Sequence, residues 1–177
     1  MNMTKMMARC ALTCAALMLA APAAMAAEPK PNDPCFKRVF EKTQSSGRWL
    51  VKNCETETGS RYQVEFRDAR LQQYSASFSD DHQGSVVDTS FQLPAADTLA
   101  VEQMSERGGR VFLLHPVAGT KELSTLQVPY MNPDEGGKFN LKQTGNTIRL
   151  QTNFDDVTVA VDPDGRLSKV NKPARKK

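Results

Sequence analysis

The residues of this chain that could do chemistry are two histidines, four cysteines and a few adjacent carboxylates. His82 sits in a polar stretch beside Asp80 and Asp81, and His115 ends an apolar run before Pro116. A metal site needs several N, S or O ligands converging, with histidines at close spacing. These two lie 33 positions apart with no third group to orient either ring, so they read as a surface histidine and a strand-end histidine. The carboxylate pairs Asp80-Asp81, Asp134-Glu135 and Asp155-Asp156 fall in turns. A glycosidase needs two carboxyls facing one bond at a fixed separation, and neighbours in a turn point apart. Asp162-x-Asp164-Gly165 is like the opening of a calcium loop, but the later ligands and the closing glutamate are missing, which leaves a hairpin turn. No Gly-x-Ser-x-Gly elbow or Ser-x-x-Lys box occurs, and Gly108-Gly109 and Gly136-Gly137 are turn glycines rather than a phosphate cradle. The sequence therefore predicts no catalytic residue, metal or cofactor, and the protein is read as a non-enzyme.

The cysteines point to a compartment. Residues 1–26 have a basic start (Lys5, Arg9), an apolar run over 11–21 and small residues in Ala24-Met25-Ala26, the plan of a cleaved signal peptide. The apolar run is shorter than the about 20 residues of a membrane span, and no later stretch is long enough to cross a bilayer. Lipidation at Cys14 is disfavoured by Thr13 and by the short apolar segment before it. Cys10 and Cys14 leave with the leader. Cys35 and Cys54 remain in an exported chain, where thiols oxidise, so they are expected to pair. The expected location is periplasmic or secreted.

Removing Lys5 and Arg9 takes the formal charge from +3 to +1. Arg166, Lys169, Lys172, Arg175, Lys176 and Lys177 put six cations and no acid at the C-terminal end, so the body 27–165 carries −5. The tail 171–177 is read as a solvated end, with contact to an anionic surface as the sharper alternative. Nucleic-acid binding is not expected, since the basic run has no interleaved aromatics.

The elements that must position any site are strands. In 138–170 apolar side chains alternate: Phe139 and Leu141, Ile148 and Leu150, then Val157, Val159 and Val161. Alternation gives one dry face and one wet face. Gly145-Asn146 and Pro163-Asp164-Gly165 supply turn chemistry. The expected result is a four-stranded meander whose dry face the rest of the chain must cover. Upstream, 49–54 and 62–66 read as a hairpin, 71–79 and 86–93 as strands, the latter stopped by Pro94, and 98–104 and 111–115 as a second hairpin. Residues 123–130 give an edge strand, because Pro129 lacks the ladder donor. After a Pro-rich lead-in over 27–32, Asp33-Pro34 looks like a helix start, with Phe36, Val39 and Phe40 on one stripe.

The fold class is thus mainly β: an antiparallel curved sheet, barrel or sandwich of about eight to ten short strands with one short N-terminal helix, in a single domain over 33–170. A curved sheet or barrel of consecutive hairpins is preferred to a Greek-key sandwich because the connections look short. No 20-to-50-residue repeat recurs, which argues against a solenoid or propeller. Trp49, Tyr62, Tyr74 and Tyr130 are assigned to the core ahead of a ligand cavity.

The cysteine, strand and turn arrangement around Asn53-Cys54 resembles that of small exported lysozyme inhibitors. The resemblance is confined to that stretch and carries over no site residue. The functional expectation is an exported binding protein, of inhibitor or immunity type, that engages an envelope protein partner. Its contact loops would be 80–85, 105–110 and 132–137, with Asp80, Asp81, His82, Arg107, Arg110, Asp134 and Glu135 as contact residues. The alternative is a carrier of a lipid or other apolar small molecule in a barrel cavity.

Overall fold

The structure, a computed structural model, describes residues 34–57, 59–80, 89–95, 97–105, 108–130, 139–151 and 156–170. These lie within one compact unit, Asn32–Lys177; the signal-peptide reading of 1–26, the lead-in and the tail 171–177 fall outside the described residues.

The chain builds the same four-stranded antiparallel meander three times. The first sheet is β1 (Lys37–Gln44), β2 (Gly47–Thr56), β3 (Gly59–Asp68) and β4 (Gln73–Asp80). The second is β5 (Thr89–Ala95), β6 (Thr98–Ser105), β7 (Gly108–Pro116) and β8 (Leu123–Tyr130). The third is β9 (Asn140–Thr144), β10 (Thr147–Gln151), β11 (Asp156–Val161) and β12 (Leu167–Lys169). All strand pairs are antiparallel neighbours in sequence, as short hairpin connections require. Among the described residues twelve strands form, more than expected, and they do not close into a barrel: the three sheets are separate ladders, the first and second meeting at one isolated bridge, Ser75 to Glu122.

The reason lies in the second sheet, which is apolar on both faces. Leu99, Val101, Phe112 and Leu114 pack with Trp49, Val51, Tyr62, Val64, Phe66 and Tyr74 of the first sheet. Ala100, Val111, Leu113 and Val128 point the other way and pack with Phe139, Ile148, Leu150, Val159 and Val161. The middle sheet is thus the cover that the dry face of the closing meander requires. Successive strand side chains alternate faces, so one sheet seals two cores. A barrel would have only one apolar interior.

The expected helix is also replaced. Lys37–Gln44 forms β1, paired with β2, and the described residues contain no helix. The i, i+3, i+4 spacing of Phe36, Val39 and Phe40 has another origin: the register slips between Arg38 and Phe40. An extra residue in one strand breaks the alternation and can imitate helical spacing. Val39 is left half-exposed at the slip, while Phe40 stacks on Phe91 at 4.9 Å. A short segment with three apolar residues gains little as an isolated helix, whereas β2 offers it a full ladder. Pro94 does not stop β5. The strand runs on to Ala95 through a register slip after Gln92, and as an edge strand it tolerates the missing donor. Pro129 lies on β8, an edge of its sheet as expected.

Cys35 and Cys54 form the expected disulfide, Cα–Cα 5.1 Å, which ties the lead into β1 to the outer part of β2. A bridge across 19 positions removes unfolded-chain freedom worth about 3 kcal/mol. The double variant C35S/C54S is therefore expected to lose about 3 kcal/mol in urea unfolding, and reduced wild type should fall to the same level. Equal midpoints for the oxidised protein and the variant would refute this.

The other end of the molecule is held by the β11–β12 turn. Gly165 N–H donates to Asp162 O at 2.8 Å, and Ala118 N–H donates to Asp164 O at 2.8 Å. Leu167 N–H donates to Ser124 Oγ at 3.0 Å. The first of these bonds closes the turn, and the other two lock the third sheet onto the second.

Candidate functional site

Antiparallel registers fix which strand ends share a side. In the first sheet Thr56 pairs with Gly59 and Ser60 with Asp80. In the second, Thr89 pairs with Gln103, Ser105 with Gly108 and Gly109 with Tyr130. The bond between Tyr62 Oη and Thr89 Oγ1, 3.2 Å, joins these two ends directly. The facing ends of β2 and β3, the end of β4, the start of β5, the facing ends of β6 and β7 and the end of β8 therefore lie together, on the side of the disulfide. The β7–β8 connection and the β11–β12 turn lie at the opposite end.

Below that end the core turns polar. On its inner face the first sheet places Asn53 beside Tyr62, and the second places Thr89 beside Gln103 and Gln103 beside Arg110. The row runs Asn53, Tyr62, Thr89, Gln103. Its middle is the Tyr62–Thr89 hydrogen bond. Gln103 is 3 % exposed, yet neither its amide oxygen nor its nitrogen has a partner among the described residues, and Asn53 Oδ1 is buried in the same state. Unpaired buried polar atoms are costly. Elsewhere Trp49 Nε1 and Thr98 Oγ1 are also buried without a partner among the described residues, but this row is where two side-chain amides gather beside the Tyr62–Thr89 bond. Sequence reading missed it, since Gln103 continues the Leu99, Val101 alternation and only its polarity marks it. On the other face of β6, Glu102, 7 % exposed, accepts a hydrogen bond from Ser90 Oγ at 2.8 Å.

An open cavity of about 380 Å³ lies next to Asn53, lined by Cys35, Lys37, Val39, Asn53 and Glu55. One cation, one carboxylate and one amide converge there beside the disulfide. Among the described residues no group of three or more His, Cys, Asp or Glu side chains could hold a metal ion, and no helix is long and apolar enough to cross a membrane.

The predicted contact residues divide as follows. Asp80 is the last residue of β4 and Arg110 lies early in β7, both at the disulfide end. Asp81, His82, Arg107, Asp134 and Glu135 lie outside the described residues. His115 sits at the opposite end, its Nδ1 donating to Pro116 O at 2.9 Å, in the strand-end role its position suggests. Asp156 is held bidentately by Arg149, Nε to Oδ1 at 2.8 Å and Nη2 to Oδ2 at 2.5 Å, and that carboxylate raises the guanidinium pKa above its usual range. Asp164 is likewise paired, with Arg166 Nε at 3.0 Å. Trp49, Tyr62 and Tyr74 are all buried in the core. Compared with known proteins, the chain matches no family model, no curated protein and no solved structure.

Proposed function

We propose that this is an exported envelope protein, without catalytic activity, that binds a protein partner through the disulfide end of its stacked sheets. The observation that carries the reading is the gathering of strand ends there. The stretches 81–88, 106–107 and 131–138 are each flanked by strand termini at that end. Binding residues are commonly carried on connections held by a rigid scaffold, and three layers joined by two packed cores make such a scaffold. The Cys35–Cys54 bridge stiffens the same end and suits an oxidising compartment. Inhibition of the partner, in the manner of the lysozyme inhibitors that the Asn53-Cys54 region resembles, is the form of binding we favour.

The carrier alternative gains less support. Among the described residues the two interiors are filled by side chains such as Trp49, Phe66, Leu99, Leu113 and Leu150, all 0–1 % exposed.

The test is site-specific photo-crosslinking of the full chain in envelope extract. A crosslinker at position 82 or 135 is expected to trap one discrete partner band, and D81A/H82A and D134A/E135A should each weaken capture about 10-fold without moving the unfolding midpoint. Equal trapping from position 142, on the outer face of the third sheet, would sink the reading.

A further inference from the structure

The outer face of the first sheet has a charge pattern that its register makes explicit. Arg48 of β2 stands directly opposite Arg67 of β3, with Gln73 of β4 next in line. One step along the strands come Glu41, Leu50 and Glu65. After them come Arg38 and Lys52, again like charges directly opposite, followed by Gln63. Arg61 closes the series, facing Ser79. Steps of two residues space these rows about 7 Å apart.

Like charges directly opposite destabilise a sheet, so this arrangement is not what folding alone favours. The two carboxylates absorb part of it. Glu41 pairs with Arg38 and with Arg48, and Glu65 takes Lys52 at 3.0 Å. Desolvation pushes the Glu41 carboxyl up, but the two guanidiniums outweigh it and hold its pKa below the ordinary value. Arg61 and Arg67 have no carboxylate partner among the described residues. The face therefore carries five cations against two acids, within a body whose own charge is −5.

We propose that this face binds an acidic polysaccharide. Planar guanidinium forks match carboxylate and sulfate groups. The β4 side of the face adds Gln73, Ser75, Ser77 and Ser79, all exposed, an amide and hydroxyl ladder suited to sugar hydroxyls. A lipid surface fits less well, because the one large apolar side chain in these rows is Leu50, itself half-buried, and the exposed Val39 and Leu71 stand singly, in β1 and in the β3–β4 turn, rather than as one apolar patch that could enter a bilayer. A nucleic acid fits less well because the face has no aromatic on which a base could stack. At one edge this surface reaches the disulfide end, where Arg61 stands opposite Cys54, but its rows run back along the outer face of the first sheet to Arg48 and Arg67, and the inference stands without the partner reading above.

The experiment measures binding of the mature chain to heparin at low salt, with dextran as the uncharged control. Wild type is expected to bind heparin alone, and increasingly weakly as salt rises. R61Q/R67Q should weaken binding about 10-fold, and E41Q, which frees two arginines, should strengthen it about 3-fold. K142Q/K169Q removes the same charge from the third sheet and should change affinity less than about 2-fold. All these positions are partly or fully exposed, and thermal melts are run alongside to check that each variant folds. The proposal is overturned if the two double variants bind alike, if only deletion of 171–177 abolishes binding, or if the chain binds vesicles of phosphatidylcholine and phosphatidylglycerol but not heparin.

Discussion

Replacing Gly165 with alanine is expected to cost about 3 to 4 kcal/mol, a large share of an ordinary domain's stability. Two terms add. Gly165 holds φ +91°, where an L-residue loses about 1–2 kcal/mol. A β-carbon there would also lie 2.1 Å from Pro116 O and 2.9 Å from His115 Nδ1. Pro116 O is backbone at the end of β7, so relief requires the third sheet to lift off the second, at an overpacking cost of about 1–3 kcal/mol. Gly145 supplies the control. It too has positive φ, +55°, but nothing lies within 4 Å of an added β-carbon. Gly145→Ala should therefore cost only the backbone term, about 1–2 kcal/mol. Urea unfolding of the two variants separates turn strain from sheet docking. Equal losses would mean that the β11–β12 turn is not seated against Pro116.

That docking could not be read from the sequence, although the turn could. Pro163-Asp164-Gly165 announces a tight turn through its backbone preferences, which are local. What the turn touches depends on residues 115–118, and no local pattern reports that. The same divide runs through the fold. Alternation at Tyr62, Val64 and Phe66, and at Ile148 and Leu150, gave strands because one face is dry and the other wet. Cys35 and Cys54 were legible as a bridge from compartment logic. Lys37–Gln44 was misread because a register slip at Val39 shifted its apolar residues to helical spacing. The preference for a curved sheet or barrel rests on short connections alone, and short connections do not say that Leu99-Ala100-Val101 and Val111-Phe112-Leu113-Leu114 are covered on both faces. Unbroken apolar runs of this length are the mark of strands buried on both sides, and they were the available signal for a middle layer. At the site, strand ends follow from register, which sequence does not show. The buried amides of Asn53 and Gln103 looked like ordinary polar positions until the opposing sheet was in place.

The middle layer yields the second large effect. Leu113 and Leu114 are neighbours in β7, both 0 % exposed, and they point into different cores: Leu113 toward the third sheet and Leu114 toward the first. Truncating a fully buried leucine to alanine removes its transfer free energy and leaves a cavity, together about 2–5 kcal/mol. Leu113→Ala and Leu114→Ala are therefore each expected to cost about 3 kcal/mol in urea unfolding. In a two-layer sandwich one of this pair would face water, and its loss would stay within about 0.5 kcal/mol. The two variants should also differ in where they loosen the molecule. Cavities weaken the contacts around them, so amide exchange should accelerate chiefly in β9–β12 for Leu113→Ala and in β1–β4 for Leu114→Ala. If either substitution is nearly silent, or if both speed exchange in the same sheet, the second sheet does not separate two cores. The rigid support proposed for the disulfide end would then lose its basis, because the first and second sheets hold their ends together only while β7 stays packed on both sides.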